Sequence, residues 1–214
     1  MTLPFKPLSS LAPRFTLARC TPADVPQLWD AMARWSDLRF RTRFQDPTDQ
    51  QFKVVDAETG RIAGFARWIV PAALDEILRE GFRTYSAAES GLPEGVDIPE
   101  MANGAPAQAW RSFFEPVKAS GVKWDSKHKL NLSLLCVHPS YQGRGLSTAL
   151  LKPMLDLADQ QGITAYLEAL ENATPVYEKW GFKKVDEIVY DESKTGHEGV
   201  RRIDIMLREP KPLS

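Results

Sequence analysis

The residues best placed by type and spacing to do chemistry run in one segment, Leu134-Leu135-Cys136-Val137-His138-Pro139-Ser140-Tyr141-Gln142-Gly143-Arg144-Gly145-Leu146-Ser147. A buried-type strand stops at Pro139, a glycine-rich turn follows, and a helix pattern opens at once. Gly143 and Gly145 let successive backbone N–H groups turn into one concavity, a nest for anionic oxygens. The helix start adds unpaired donors and the positive end of its dipole. Ser147 and Thr148 supply hydroxyls at the same rim and Arg144 supplies charge. Such a turn suits a phosphate or pyrophosphate. A nucleoside-triphosphate loop needs a Gly-Lys-Ser/Thr ending, which is absent. A dinucleotide loop needs a third glycine where Thr148 stands, and an early βαβ unit around it.

The elements that must hold this turn follow from the flanking pattern. Leu130–Val137 reads as an apolar strand, Leu146–Gln161 as a helix ended by Gly162, and Ile163–Leu170 as a second strand. Thr174–Trp180 reads as a short helix with Thr174 as cap, Pro175 at its first position and Gly181 as its stop. Lys183–Asp191 and Val200–Arg208 complete the series as strands. Upstream, Arg14–Arg19 alternates like a strand, and Thr21-Pro22-Ala23-Asp24 resembles a capped helix start. Val25, Leu28, Trp29, Met32 and Trp35 follow at helical spacing. Trp35, Phe40 and Phe44 read as core. Phe52–Asp56 and Arg61–Val70 form a hairpin pattern around Ala57-Glu58-Thr59-Gly60, and Gly64 marks a bulge or a close backbone approach. Ala72–Phe82 and Ala107–Ser120 read as helices, the second closed by Gly121, with a long Gly/Pro-rich loop over 90–106. The fold class is α+β (mixed α/β), with a parallel strand pair around the first helix of the motif region.

The chain of 214 residues fits one domain, 1–214, with a substrate-side insertion at 71–129 and the chemistry at 130–182. A net charge of −1 with no polybasic run gives no support for nucleic acid or an anionic membrane as partner. No apolar run reaches spanning length, and the first residues lack a signal-peptide pattern. Cys20 and Cys136 form no metal-type pair, no metal site is expected, and a reducing, cytoplasmic setting fits.

Two blocks resemble the GNAT superfamily of N-acetyltransferases. Its acetyl-CoA motif is a hydrophobic strand, Val-x-Pro, then Gln/Arg-x-x-Gly-x-Gly/Ala opening a helix. Here that reads Val137-His138-Pro139 and Gln142-x-x-Gly145-x-Ser147, with Ser at the last small position. A second block, Tyr166-Leu167-Glu168-Ala169 and then Tyr177-Glu178-Lys179-Trp180-Gly181-Phe182, lies at the family's separation. The specific match covers about a quarter of the chain, and the broader pattern is similar to a branch common in fungi.

The resemblance implies a mixed central sheet whose two parallel strands splay apart and receive acetyl-CoA, the co-substrate, in the gap. The backbones of Leu135, Cys136 and Val137 would hold the pantetheine arm, with an oxyanion donor among them. The backbone of Gln142, Gly143, Arg144, Gly145, Leu146 and Ser147, with Thr148 beside it, would take the pyrophosphate. Many members carry Asn or Ser directly after the Glu-Ala of the second strand; here Leu170 stands there, and Asn172 is the nearest substitute. Tyr177 is the candidate acid for the leaving thiolate, against a plain core role. Glu168 is the candidate base, against a loop anchor, and Asp204 a weaker one. His128 and His138 read as loop and turn residues, and Cys136 as packing. The acceptor is an amine of a small molecule or peptide whose identity the motifs do not name. The alternatives are an acyl-CoA-binding sensor without catalysis and a binder of some other phosphate. A homodimer is left open.

Overall fold

Seven strands form one sheet in the order β1-β2-β3-β4-β5-β7-β6. They are β1 (Phe15–Arg19), β2 (Asp49–Asp56), β3 (Ile62–Ile69), β4 (Leu130–Val137), β5 (Ala165–Leu170), β6 (Lys183–Asp191) and β7 (Val200–Arg208). Every neighbouring pair is antiparallel except β4 and β5, which are parallel around a crossover helix. The helices are α1 (Arg34–Thr42), α2 (Ala107–Lys123), α3 (Leu146–Gln161) and α4 (Thr174–Glu178). This computed structural model describes residues 14–24, 34–72, 74, 84–95, 107–191 and 199–212, with backbone alone at 34–36 and 107–110. The helical face predicted from Val25 to Met32, the Trp35 ring, most of the 72–82 helix and most of the 90–106 loop lie outside them. No described helix is long and apolar enough to cross a membrane.

Strand alternation divides the sheet into two faces. On the first, Leu17, Phe52, Val54, Ala66, Trp68, Leu130, Leu132, Leu167 and Met206 pack with Leu146, Leu150, Leu151 and Met154 of α3 as the main core. On the second, Phe65 and Cys20 meet Phe40 of α1 and Phe44 just beyond it, with Leu134 and Tyr85 at their side. The expectation that Phe40 and Phe44 are core therefore holds. Gly64 serves both roles foreseen for it. The β2–β3 register slips beside it, and a Cβ there would lie 3.3 Å from Leu150 Cδ1 and 3.4 Å from the Cys136 carbonyl. Only glycine lets β3 sit this close to α3.

Several boundaries differ from the sequence reading, among them β2, which opens at Asp49 rather than Phe52. Helix α2 runs through Gly121 to Lys123, because Gly121 keeps helical geometry and the reversal falls at Asp125, whose φ is +50°. Helix α4 ends at Glu178, and Thr174 is not its cap: the Thr174 hydroxyl donates to Asp204 Oδ2 at 2.6 Å instead. Strand β5 begins at Ala165 rather than Ile163. At the N-terminal side, Asp24 accepts the Thr21 N–H as a capping box requires, but the Thr21 hydroxyl donates to Asp24 Oδ2 rather than capping a backbone N–H, and the described turn over Pro22–Asp24 is a 3-10 one.

A candidate acyl-transfer cleft

Strands β4 and β5 pair only over Leu130–Leu132 with Ala165–Leu167. The β3–β4 register then shifts, with Arg67 opposite Leu134 and Trp68 opposite Leu132, so Ser133 is an extra residue. A bulge of this kind bends its strand, and here β4 leaves β5 at that point. The edge of β4 facing β5 beyond Ser133 has no strand paired to it among the described residues. Nothing in the residue types around Ser133 announces a bulge. A serine in an apolar strand was the only available hint.

Val137 leads from this open edge into the glycine turn. His138 Nδ1 accepts the Ser140 N–H, and the chain makes one 3-10 turn over Pro139–Tyr141. Gly143 has φ +74° and Gly145 φ +75°, and a Cβ on either would meet no heavy atom within 4 Å. The positive φ values explain why glycine is needed twice, and the open space above both leaves a cradle a ligand can enter. Gly145 is also the residue at which α3 starts, so the helix N–H groups open into the same space. Leu146 is buried in the core and offers only its backbone, while Ser147 and Thr148 are half-buried at the rim. The exposed Arg144 stacks its guanidinium 5.6 Å from the Tyr141 ring centroid, and Gln142 Nε2 donates to the Val137 carbonyl at 3.3 Å.

The turn is anchored from behind by a network absent from the sequence reading. Tyr141 donates its hydroxyl to Asp56 Oδ2 at 3.0 Å, and Arg14 grips the same carboxylate through Nε and Nη2 at 2.8 and 2.6 Å. The Arg14 bond and those from Thr59, Glu58 N–H and Tyr141 hold the Asp56 carboxyl well below the usual aspartate range.

The two faces of the cleft carry different chemistry. Tyr166 and Glu168 project to the second face, where the Tyr166 hydroxyl donates to Glu168 Oε1 at 2.8 Å. Burial of the carboxyl against protein pushes the Glu168 pKa up, and the Tyr166 bond pulls the other way, while one side of Glu168 stays open to solvent. Tyr166 itself is fully buried, and its phenol is pushed well above the usual tyrosine range, first by burial and then by the Glu168 charge. Tyr177 is half-buried at the edge of the main core, its ring edge-on to Phe182 with centroids 6.0 Å apart. Burial raises its pKa, and the Cys136 sulfur is close enough to add to the shift. The structure thus brings Tyr177 to the free end of β4.

Cys136 is exposed, which corrects its reading as packing: Phe65 lies opposite it in β3, and beyond the bulge no strand of the described chain covers it. Its thiol is pushed up by its surroundings, so it is not an activated nucleophile. Asp204 lies on the first face, opposite Glu168. It accepts from Thr174 and pairs with Lys184 at 2.7 Å, interactions that outweigh burial and hold its pKa low, as suits a structural ion pair. Asn172 and Leu170 are exposed and line an open groove at the end of β5 with Val200 and Arg202. His128 pairs with Asp125 beside α2, away from the cleft.

Residues 119–196 match a family model described as an acetyltransferase (GNAT) domain. An uncharacterized N-acetyltransferase of Schizosaccharomyces pombe is 30% identical over 166 residues, covering 73% of this chain and 60% of that protein. A second from the same yeast is 37% identical over 96 residues, covering 44% of this chain and 40% of that one. The chain thus spans less than two thirds of the length of either relative. The fold is shared with the ribosomal-protein-S18-alanine N-acetyltransferase from Escherichia coli, with a TM-score of 0.55, 18% identity, and 94% and 96% of the two chains covered. It is shared also with Arabidopsis thaliana NAA60, solved in complex with acetyl-CoA, at a TM-score of 0.51 and 13% identity over 91% and 98% of the chains.

Proposed function

We propose that the chain is a GNAT-type acetyltransferase, given the match of residues 119–196 to that family's model, and that it transfers the acetyl group of acetyl-CoA to a primary amine. The observation that carries this reading is the parting of β4 from β5 at Ser133, with the glycine cradle at the far end of β4 and Glu168 just past the parting on β5. The open cradle at Gly143 and Gly145 fits a pyrophosphate, and the free edge of β4 over Leu135–Val137 fits an extended amide-bearing arm added like a strand. Asn172 lies at the mouth and would meet that arm in place of the residue at Leu170.

Acetyl-CoA supplies the acetyl thioester. Glu168, its pKa raised by burial, takes a proton from the acceptor ammonium, and the amine so formed attacks the thioester carbon. A backbone N–H within Leu135–Val137 holds the oxyanion. The carbon–sulfur bond breaks, and the Tyr177 hydroxyl, kept protonated by its raised pKa, gives its proton to the leaving thiolate and is reprotonated by the proton that the nitrogen sheds as the amide forms. The acceptor enters from the second face, where Glu168 projects, and the thiolate departs beside α4. The chain is read as one domain over 1–214, with 71–129 as the segment that shapes acceptor choice. Two free thiols, Cys20 and Cys136, fit a reducing compartment such as the cytoplasm.

Incubation with acetyl-CoA and a panel of alkylamines, amino acids and peptides, read by thiol release and by mass of the product, tests the reading. Acetylated product with at least one amine class supports it. Acetyl-CoA binding without turnover on any class leaves a sensor of acyl-CoA. No binding at all removes the cofactor assignment.

A further inference from the structure

Thr174 does not cap α4 and Asp204 does not face the acceptor; the two are bonded to each other, beside the helix that carries Tyr177. α4 is five residues long, with no side-chain cap at Ala173. A helix so short has no stability of its own, so its place is decided by what it touches. Its backbone bonds are local. The Ala173 N–H reaches the Leu170 carbonyl, and the N–H groups of Trp180, Gly181 and Phe182 return to Tyr177 and Glu178. Two clips join the segment to β7. At its start the Thr174 hydroxyl donates to Asp204 Oδ2 at 2.6 Å, and just past its end Arg208 Nε donates to the Trp180 carbonyl at 2.9 Å. Tyr177 lies midway between them in the sequence.

Asp204 suits the role of an anchor. It is 4% exposed, on the first face of the sheet opposite Ala169 of β5. Lys184 of β6 pairs with its Oδ1 at 2.7 Å, which fixes the carboxylate in place. A hydroxyl bonded to a charged and immobilised oxygen is held more firmly than one bonded to a neutral acceptor. Tyr177 depends on such holding. Its hydroxyl makes no hydrogen bond within the described residues, and its ring is placed by its backbone and by the edge contact with Phe182. Phe182 and the Arg208 clip both lie on the C-terminal side of Tyr177. Thr174 makes the one side-chain hydrogen bond of α4 among the described residues, and it lies on the N-terminal side.

With the Thr174 clip gone, the segment is free to pivot about Trp180 and carry the phenol away from the sulfur it serves. A reacting group misplaced by about 1 Å can cost as much as about 100-fold in rate. We propose that Thr174 is a positioning residue for acyl transfer, clipped to Asp204 so that α4 delivers the Tyr177 hydroxyl to the leaving sulfur. The catalytic consequence rests on the reading of Tyr177 as the acid; the clip itself does not.

The test compares Thr174→Val, which keeps the branched shape and loses the hydroxyl, with Thr174→Ser, which keeps the hydroxyl. Thr174→Val should lower kcat about 10-fold with its affinity for acetyl-CoA unchanged, and Thr174→Ser should turn over like wild type. The Tyr177→Phe background separates positioning from general damage. A residue that acts through the Tyr177 hydroxyl has nothing further to lose there, so the double variant Thr174→Val/Tyr177→Phe should match Tyr177→Phe alone. Unchanged kcat in Thr174→Val, or a full additional loss in the double variant, overturns the proposal. Titration of Tyr177 labelled with carbon-13 in its ring, followed by NMR, reads the clip without turnover. Burial holds this phenol above the ordinary tyrosine range. Thr174→Val should bring it down toward the usual value of about 10, and Thr174→Ser should leave it raised. If Tyr177→Phe keeps full kcat, or no amine is turned over, the acid assignment fails and this titration decides alone. A lowered pKa in Thr174→Val then upholds the clip and removes only its catalytic role, whereas an unmoved one overturns the proposal.

Discussion

Tyr166 donates its hydroxyl to Glu168 across one pleat of β5, and the two are the first side chains on the acceptor face on either side of the residue where β4 and β5 part. A buried phenol that stays protonated throughout the ordinary pH range thus touches one oxygen of the carboxylate assigned as base. It orients that carboxylate and leaves the second oxygen for the acceptor.

Glu168→Gln should lower kcat/KM by about 100- to 10,000-fold, the span usual for general bases. The pH profile supplies the sharper check. Because the Glu168 pKa is raised, the carboxylate is still protonated just above the ordinary glutamate range, so activity should climb with pH through the raised value. Tyr166→Phe removes a bond that lowers that pKa, so the climb should move to higher pH. A rate profile unchanged by either substitution would remove Glu168 from the mechanism.

Tyr177→Phe should bind acetyl-CoA as wild type does and lose kcat, at or below the lower end of the 100- to 10,000-fold range because a thiolate leaves readily. The ring contact with Phe182 remains, so the melting temperature should hold. A fall in stability with unchanged turnover would mark Tyr177 as packing alone.

Acetyl-CoA should raise the melting temperature of the wild-type protein by binding the native state. Gly145→Glu should abolish that rise. The new side chain must adopt φ near +75° and would place an anion in the cradle. An undiminished thermal shift in this variant would relocate the cofactor.

Asp56→Asn should loosen the phosphate turn from outside it. The Asp56 pKa is depressed in the folded state, so its contribution is complete above the unfolded value near 3.9 and is lost as pH falls toward the folded one. Wild type should therefore lose melting temperature steeply below about pH 4, and Asp56→Asn should start lower at neutral pH and lose less on acidification. The variant's affinity for acetyl-CoA should fall as well, because the single amide oxygen of Asn cannot serve Arg14, Thr59 and Tyr141 together. Parallel acid-unfolding curves for the two proteins would contradict this.

What the sequence disclosed was local. Gly143, Gly145, Gly162 and Gly181 announce their turns because positive φ demands glycine, and the structure gives all four positive values. The strand–turn–helix around Pro139 was readable for the same reason, and Gly64 was readable as a bulge or a close approach. Contacts between distant segments were not. Nothing near Asp56 signals that Arg14 and Tyr141 will meet on it, 42 and 85 residues away. Nor does an isolated serine reveal that β4 bulges at Ser133. Cys136 looked like core because its neighbours are apolar, yet the bulge beneath it opens the strand to solvent. Thr174 looked like a cap because caps are judged from adjacent residues, whereas its hydroxyl is claimed by Asp204 from another strand.

The short ladder between β4 and β5 has a mechanical consequence. Among the described strands, three paired residues, Leu130–Leu132 against Ala165–Leu167, make the only ladder between the four-stranded half of the sheet and the three-stranded half. That seam is where the empty protein should come apart first, so hydrogen exchange at Leu130–Val137 and Ala165–Leu170 should be faster than in β2 and β3. A pantetheine arm lying in the gap would act as a suture, lengthening a seam that the strands alone leave short. The same molecule that supplies the acetyl group would then also make the sheet melt as one unit.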